Sequence, residues 1–211
     1  MSREHIWDFW AAHYDRLWVQ RVSLGPTRAV LRAQLSARPP GRLLDMGCGT
    51  AQLLNEWISL SGVADPDYTG VDASPAMVAE ARRKHPAARL LCADVMNYDA
   101  GPACFDTVVC AHAFPYMTDP VAVMARLAGW VRPGGRLWLA QACEETLYDR
   151  LVLAIVKRTT SHARYRSVAV LCAIARPMLG DPDEVIRINR HFGVPSLRLI
   201  VWEKPGEGDR P

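Results

Sequence analysis

Apolar residues along this chain fall into short runs of two kinds, and the two kinds alternate. Segments 41–47 (GRLLDMG), 67–73 (DYTGVDA), 88–95 (ARLLCADV), 105–113 (FDTVVCAHA) and 136–143 (RLWLAQAC) are compact and almost continuously apolar, the signature of strands. Between them, apolar residues return every three or four positions. Leu53, Leu54, Trp57 and Ile58 share one helical face in 51–60, and 75–85 and 119–131 are helical as well. Ser74-Pro75 supplies an N-cap and a first-turn proline, and Pro133-Gly134-Gly135 stops the helix at 119–131. Strands without strict alternation, each followed by a helix, predict a parallel sheet covered on both faces. The tail 184–205 carries two alternating runs about a Gly193–Ser196 turn and predicts an antiparallel β-hairpin that closes the sheet. The expected fold is a doubly wound, Rossmann-like α/β sheet of seven mostly parallel strands with helices on both faces. Residues 144–180 read as two helices broken near 159–166, and the first 40 residues as one or two helices hinged into the sheet at 36–41.

Composition narrows the class. A chain of 211 residues supports one sizeable core, so a single domain over 1–211 is expected: N-terminal helices to 40, a ligand-binding core over 41–143, a helical substrate-side segment over 144–183 and the hairpin over 184–205. Half of the residues are apolar and 22% are charged, which is the balance of a soluble globular protein. A net charge of +3, with arginines scattered along the chain, provides no basic block for nucleic acid. The six cysteines form no C-x-x-C pair, and most sit in apolar runs, so buried reduced thiols and no metal site are expected. Charges and tryptophans interrupt the N-terminus where a signal peptide needs an apolar core, which points to the cytoplasm. The apolar runs at 151–156 and 168–175 fall short of the ~20 residues of a membrane span, so they are expected to cover the sheet or to form a dimer face. The chain is expected to be a monomer or a homodimer.

The chemistry concentrates in the first strand-to-helix turn, DMGCGTAQ at 45–52. In an open parallel sheet, ligands bind beyond the carboxyl ends of the strands, and this turn is the usual site. Gly47 and Gly49 permit close backbone approach, and the helix starting near Thr50 is expected to offer free N–H groups. A dinucleotide fingerprint needs a third glycine where Gln52 stands, and the Lys-Ser/Thr ending of a P-loop is absent. Asp45 repels pyrophosphate but suits an ammonium or sulfonium group. Together, Gln52 and Asp45 disfavour a nicotinamide oxidoreductase.

LLDMGCGTAQLL (43–54) resembles the first motif of class I S-adenosylmethionine-dependent methyltransferases, and later segments match that family in order. TGVDASPAMVAEAR resembles its second motif, LLCADV its third, FDTVVCAHAFPYMTDP its fourth strand and the loop beyond, and LAGWVRPGGRLWLA its turn into strand five. The resemblance implies S-adenosyl-L-methionine as cofactor, with S-adenosyl-L-homocysteine as product. It places Asp72 on the ribose hydroxyls and Asp94 at the adenine amine. A single carboxylate serves two hydroxyls well, and apolar Ala73, Met77 and Val95 suit the two faces of an adenine. Gly47 and Gly49 would lie against the methionine part with Asp45 near its ammonium, and Cys48 and Ala111 complete the expected cofactor site.

On the substrate side, methyl transfer needs in-line placement and exclusion of water, and a base only where the acceptor loses a proton. His112, Phe114 and Tyr116 follow the fourth strand, where the family lines its transfer site. His112 is either a base or orienting group, or a loop histidine bonded to backbone. AFPY at 113–116 lacks the polar first residue and the first proline of methyltransferases that act on exocyclic amines of bases, so no nucleic-acid substrate is expected. Residues 7–18 (WDFWAAHYDRLW) resemble the lid helix of small-molecule members such as the ubiquinone and menaquinone C-methyltransferases. Tyr14 there matches a tyrosine that reaches the cofactor. Trp7, Trp10, Tyr14 and Trp18 recur at helical spacing, which reads either as core packing or as a lid with cation–π contact to the sulfonium. Tyr148, His162 and Tyr165 are expected on the opposite wall. Catalytic roles fall on His112, Tyr116 and Tyr14. Methyl transfer to a small-molecule acceptor is the leading reading. The alternatives are a non-methyl reaction, such as cyclisation of the aminobutyrate arm with release of methylthioadenosine, and a non-catalytic cofactor-binding partner subunit.

Overall fold

The computed structural model describes residues 8, 11–61, 67–160, 162–188 and 193–206. Their sheet has seven strands in the order β3-β2-β1-β4-β5-β7-β6. These are β1 (Arg42–Met46), β2 (Asp67–Asp72), β3 (Arg89–Cys92), β4 (Phe105–Ala111), β5 (Val131–Cys143), β6 (Glu184–Arg187) and β7 (Ser196–Glu203). The first five run parallel, and β7 lies antiparallel between β5 and β6. Six α-helices accompany them: α1 (Gly25–Ala37), α2 (Gln52–Ser61), α3 (Pro75–Lys84), α4 (Pro120–Trp130), α5 (Leu147–Thr160) and α6 (Val168–Leu179). The order reverses at β1, so the connections that follow the paired strands β1 and β4 turn to opposite faces and leave a crevice at the strands' carboxyl ends, where ligands of such sheets bind.

Local chemistry accounts for the helix starts. The Ser74 hydroxyl accepts the Met77 N–H ahead of Pro75, and Arg82, Arg83 and Lys84 occupy the last turn of α3, where the helix dipole favours cations. Asp119 accepts the N–H groups of Val121 and Ala122 at 3.1 and 3.0 Å to open α4. Strand β5 begins at Val131, earlier than the 136 expected from the apolar run. Phe105 faces Val131 and Thr107 already faces Arg136, so Arg132-Pro133-Gly134-Gly135 bulges out of the ladder.

Consecutive strand residues face opposite sides, and the core divides accordingly. Leu44, Val108 and Leu139 pack with Met124 and Leu127 of α4 and Leu171 and Ala175 of α6. Leu43, Val109 and Trp138 pack with Leu31 of α1, Leu54 and Trp57 of α2 and Val78 of α3.

Three expectations need correction. The N-terminal segment is a 3-10 helix over Ala11–Arg16 and a π-helix over Gln20–Leu24 before α1, rather than one amphipathic helix. Trp7 and Trp10 lie outside the described residues, and Trp18 is 69% exposed, so it joins no packed aromatic face. The apolar run 168–175 covers the sheet within α6, one of its two expected roles, and Leu147, Leu151 and Ile155 form an exposed stripe along α5. Only Cys48, Cys110 and Cys143 are buried; Cys92 is exposed, and all six cysteines are free. Among the described residues no helix is long and apolar enough to cross a membrane.

Leu139 and Leu151 separate core from surface. Leu139→Ala is expected to lower unfolding free energy by about 2–5 kcal/mol in urea titration, and Leu151→Ala by less than about 0.5 kcal/mol. Equal losses would contradict the layer assignment.

Candidate cofactor and acceptor site

The turn after β1 is left-handed at three places: Gly47 (φ 80), Gly49 (φ 54) and Ala51 (φ 59). At Gly47 a side chain is excluded twice, by that φ and by Ala113, whose Cβ would stand 2.2 Å from a Cβ at Gly47. The loop after β4 therefore rests directly on the turn. The N–H groups of Gly47 and Cys48 both point to the Val71 carbonyl, at 2.7 and 3.1 Å, and the Gly49 N–H points to Asp72 Oδ2 at 2.9 Å. The N–H groups of the glycine turn itself are thus engaged at 47–49, and the helix expected to start near Thr50 starts at Gln52. Cys48 turns its thiol into the core, so it shapes the site through its backbone alone.

Carboxylates supply the opposite polarity. Asp45 is 3% exposed at the end of β1, and its Oδ2 accepts the Tyr68 hydroxyl at 2.8 Å. Burial pushes its carboxyl up to about 7, against the pull of the Tyr68 hydrogen bond and with a smaller push from Asp72. Asp72 ends β2 and accepts one N–H on each oxygen, Gly49 on Oδ2 and Ser74 on Oδ1, both at 2.9 Å. Burial raises its pKa, and those two bonds pull it back. Asp94 lies two residues past β3, exposed, with Oδ1 on the Met96 N–H at 2.8 Å. Val95 and Met77 are buried beside it and at the start of α3, Ala73 is exposed, and Ala111 ends β4.

The N-terminal segment is fastened over these turns. Tyr14 places Cε1 3.8 Å from the Cβ position of Gly49. Burial, then the Asp72 charge, pushes its hydroxyl up, so Tyr14 stays a phenol that donates and does not serve as a base. Asp15 accepts Thr50 Oγ1 at 2.7 Å and Gln52 Nε2 at 2.6 Å and pairs with Lys84. Asp8 accepts Ser74 Oγ at 2.6 Å. Gln52, which stands where a dinucleotide fingerprint has glycine, also accepts from Arg28 of α1. Asp8, Asp15, Arg28 and Tyr68 carry no motif signal of their own.

His112 leaves β4 with φ 59, its N–H on the Ala140 carbonyl at 2.7 Å. Among the described residues its ring bonds a side chain, Nε2 to Thr27 Oγ1 at 2.8 Å, and not backbone. Burial and Arg28 lower its pKa to about 4, so it is neutral at ordinary pH. Tyr116 is partly buried at the end of the Phe114–Tyr116 turn. Of the residues expected on the opposite wall, His162 is exposed, Tyr165 lies under Lys157, and Tyr148 accepts the Gly193 N–H.

This donor set can be tested against a ligand. With the turn's N–H groups engaged and three carboxylates at successive strand ends, the edge offers acceptors to a ligand rich in donors. An ammonium, two ribose hydroxyls and an adenine amine fit that polarity, and a pyrophosphate does not.

Residues 43–135 match a known family, the methyltransferase domain. The chain is 28% identical over 184 residues to the biotin biosynthesis bifunctional protein BioCD of Bordetella avium, covering 86% of this chain and 38% of that protein. It is 33% identical over 129 residues to the demethylmenaquinone methyltransferase of Beutenbergia cavernae, covering 60% of this chain and 48% of that one. In three dimensions it resembles magnesium protoporphyrin IX methyltransferase from Synechocystis, solved with bound SAH, with a TM-score of 0.69 at 22% identity over 89% of this chain and 88% of that one. The chain carries a methyltransferase domain over residues 43–135. It spans less than half the length of the two curated relatives, at 38% and 48%.

In this methyltransferase domain Asp45 yields a signed expectation. A carboxyl raised to about 7 is largely protonated at pH 6, and a ligand ammonium favours its ionised form. S-adenosylhomocysteine binding at pH 6 should therefore release a proton and strengthen as pH rises through about 7, read by calorimetry in buffers of different ionisation enthalpy. Asp45→Asn should abolish the release, and unchanged release would place the ammonium elsewhere.

Proposed function

We propose that this chain transfers the methyl group of S-adenosylmethionine to a small-molecule acceptor. One observation carries the reading: the Gly49 N–H to Asp72 Oδ2 bond of 2.9 Å, which binds the first and second motif turns into one cradle under Tyr14. Asp45 takes the ammonium, Gly47 and Gly49 let the amino-acid part lie on the backbone, and Asp72 takes the ribose hydroxyls. Asp94 takes the adenine amine, with Ala73, Met77 and Val95 around the ring and Ala111 and Cys48 shaping the floor. The bound cofactor supplies an already activated methyl group.

What the chain adds is placement and the exclusion of water. The N-terminal segment, fastened through Asp8 and Asp15 to both cofactor turns, covers the cradle, and the Tyr14 ring meets the cationic part of the cofactor. His112 and Tyr116, on the loop that rests on Gly47, face the acceptor. A relative named for demethylmenaquinone as its acceptor supports a small organic substrate. So does the length of the segments left to recognise it, 144–183 and the N-terminus.

The test is a product assay with labelled S-adenosylmethionine, with and without a panel of hydroxy-, amino- and quinone-type small molecules. S-adenosylhomocysteine that appears only with an acceptor supports methyl transfer. Methylthioadenosine without acceptor would replace it with cyclisation of the aminobutyrate arm, and tight binding with neither product would make the chain a cofactor-binding partner subunit.

A further inference from the structure

Thr27 sits in the first turn of α1, 85 residues from His112 in sequence, and is only 1% exposed. A hydroxyl carries one hydrogen, and Thr27 Oγ1 has two neighbours. One is the Ser23 carbonyl at 2.9 Å, an oxygen that only accepts, so the Thr27 hydrogen is directed there. The other is His112 Nε2 at 2.8 Å, which must then be the donor. The neutral ring has a single N–H, so placing it on Nε2 leaves a lone pair on Nδ1, and among the described residues Nδ1 meets no partner.

The backbone beneath the ring is fixed independently. His112 adopts φ 59, gives its N–H to the Ala140 carbonyl, and is followed by Ala113, which is wedged against Gly47. A left-handed non-glycine residue persists only where its surroundings over-determine it, and here β5, the cofactor turn and α1 all do so.

We infer that Thr27 is a positioning residue that locks His112 as the Nε2–H tautomer, so that Nδ1 receives the proton of a hydroxyl or amine acceptor. The inference rests on the proposed methyl transfer and narrows it to acceptors that carry an O–H or N–H at the reacting atom. The acceptor atom that gains the methyl gives its proton to Nδ1; the ring becomes an imidazolium whose Nε2–H stays on Thr27, and Nδ1 then passes the proton to water. Arg28, on the same helix as Thr27, is the charged group that acts on the ring, and it is itself tied to Gln20, Gln52 and Glu56. Its positive charge keeps the resting ring neutral and makes the imidazolium short-lived.

Nuclear magnetic resonance of protein labelled with 15N-histidine reads the tautomer without turnover. The expected wild-type pattern is a protonated-type Nε2 and a pyridine-type Nδ1 at His112. Thr27→Val, which keeps the shape and removes the hydroxyl, should mix the tautomers and lower kcat at least roughly tenfold, with the cofactor KM unchanged. Thr27→Ser should restore both. A wild-type ring protonated on Nδ1, or a Thr27→Val protein that keeps the Nε2–H tautomer and its kcat, would overturn the lock. A locked tautomer in a protein that methylates only carbon acceptors would leave the lock standing and overturn the acceptor assignment. A locked tautomer in a protein that transfers no methyl group would instead remove the reaction on which that assignment rests.

Discussion

The Asp72 carboxylate takes one backbone N–H on each oxygen, and the whole carboxyl edge of the sheet is organised around it. Charge-assisted bonds of this kind are stronger than neutral ones, and here they join two turns that share no covalent neighbour. Through Gly49 the carboxylate fixes the turn after β1; through Ser74 it fixes the start of α3. The Ser74 hydroxyl is at once the cap of that helix and the anchor for Asp8. The cover over the site, the helix beneath the second motif and the glycine turn are thus set by one half-buried carboxylate.

That arrangement also fixes the polarity of the ligand. A glycine turn before a helix is usually a place for anions, because its N–H groups are free. Here they are engaged by Val71 and Asp72, and Asp45, Asp72 and Asp94 dominate the edge. That polarity suits cationic and hydroxyl-bearing groups better than phosphate. Burial makes this costly for Asp45, whose carboxyl rises to about 7, and the Tyr68 hydroxyl offsets part of that cost. A bound ammonium would offset the rest.

The seven mostly parallel strands and the antiparallel closing hairpin are legible in the sequence because apolar runs in a sheet buried on both faces leave a strong local signal. Gly47, Gly49 and Asp72 are legible for a related reason: backbone geometry at a strand end admits few residue types. Boundaries are less so. Val131 looks like the end of a helix until its pairing with Phe105 is known, and Asp94 looks like a strand residue until the ladder stops at Cys92. The 3-10 and π segments before α1 override a helical aromatic spacing because Asp8 and Asp15 pull that stretch down onto two separate turns. Thr27, Tyr68 and Asp15 escape sequence reading altogether. Each acts through a partner 23 to 85 residues away, and a lone threonine or tyrosine in an apolar stretch reads as packing.

The most direct test of the acidic-edge account is the affinity of S-adenosylhomocysteine for Asp72→Asn, measured by calorimetry on protein whose circular dichroism matches the wild type. Asparagine keeps the shape but turns one acceptor into a donor, toward either a backbone N–H or a ribose hydroxyl. The account predicts a loss of affinity of about tenfold to a hundredfold, the scale of a hydrogen bond to a charged group. Affinity equal to the wild type would contradict it.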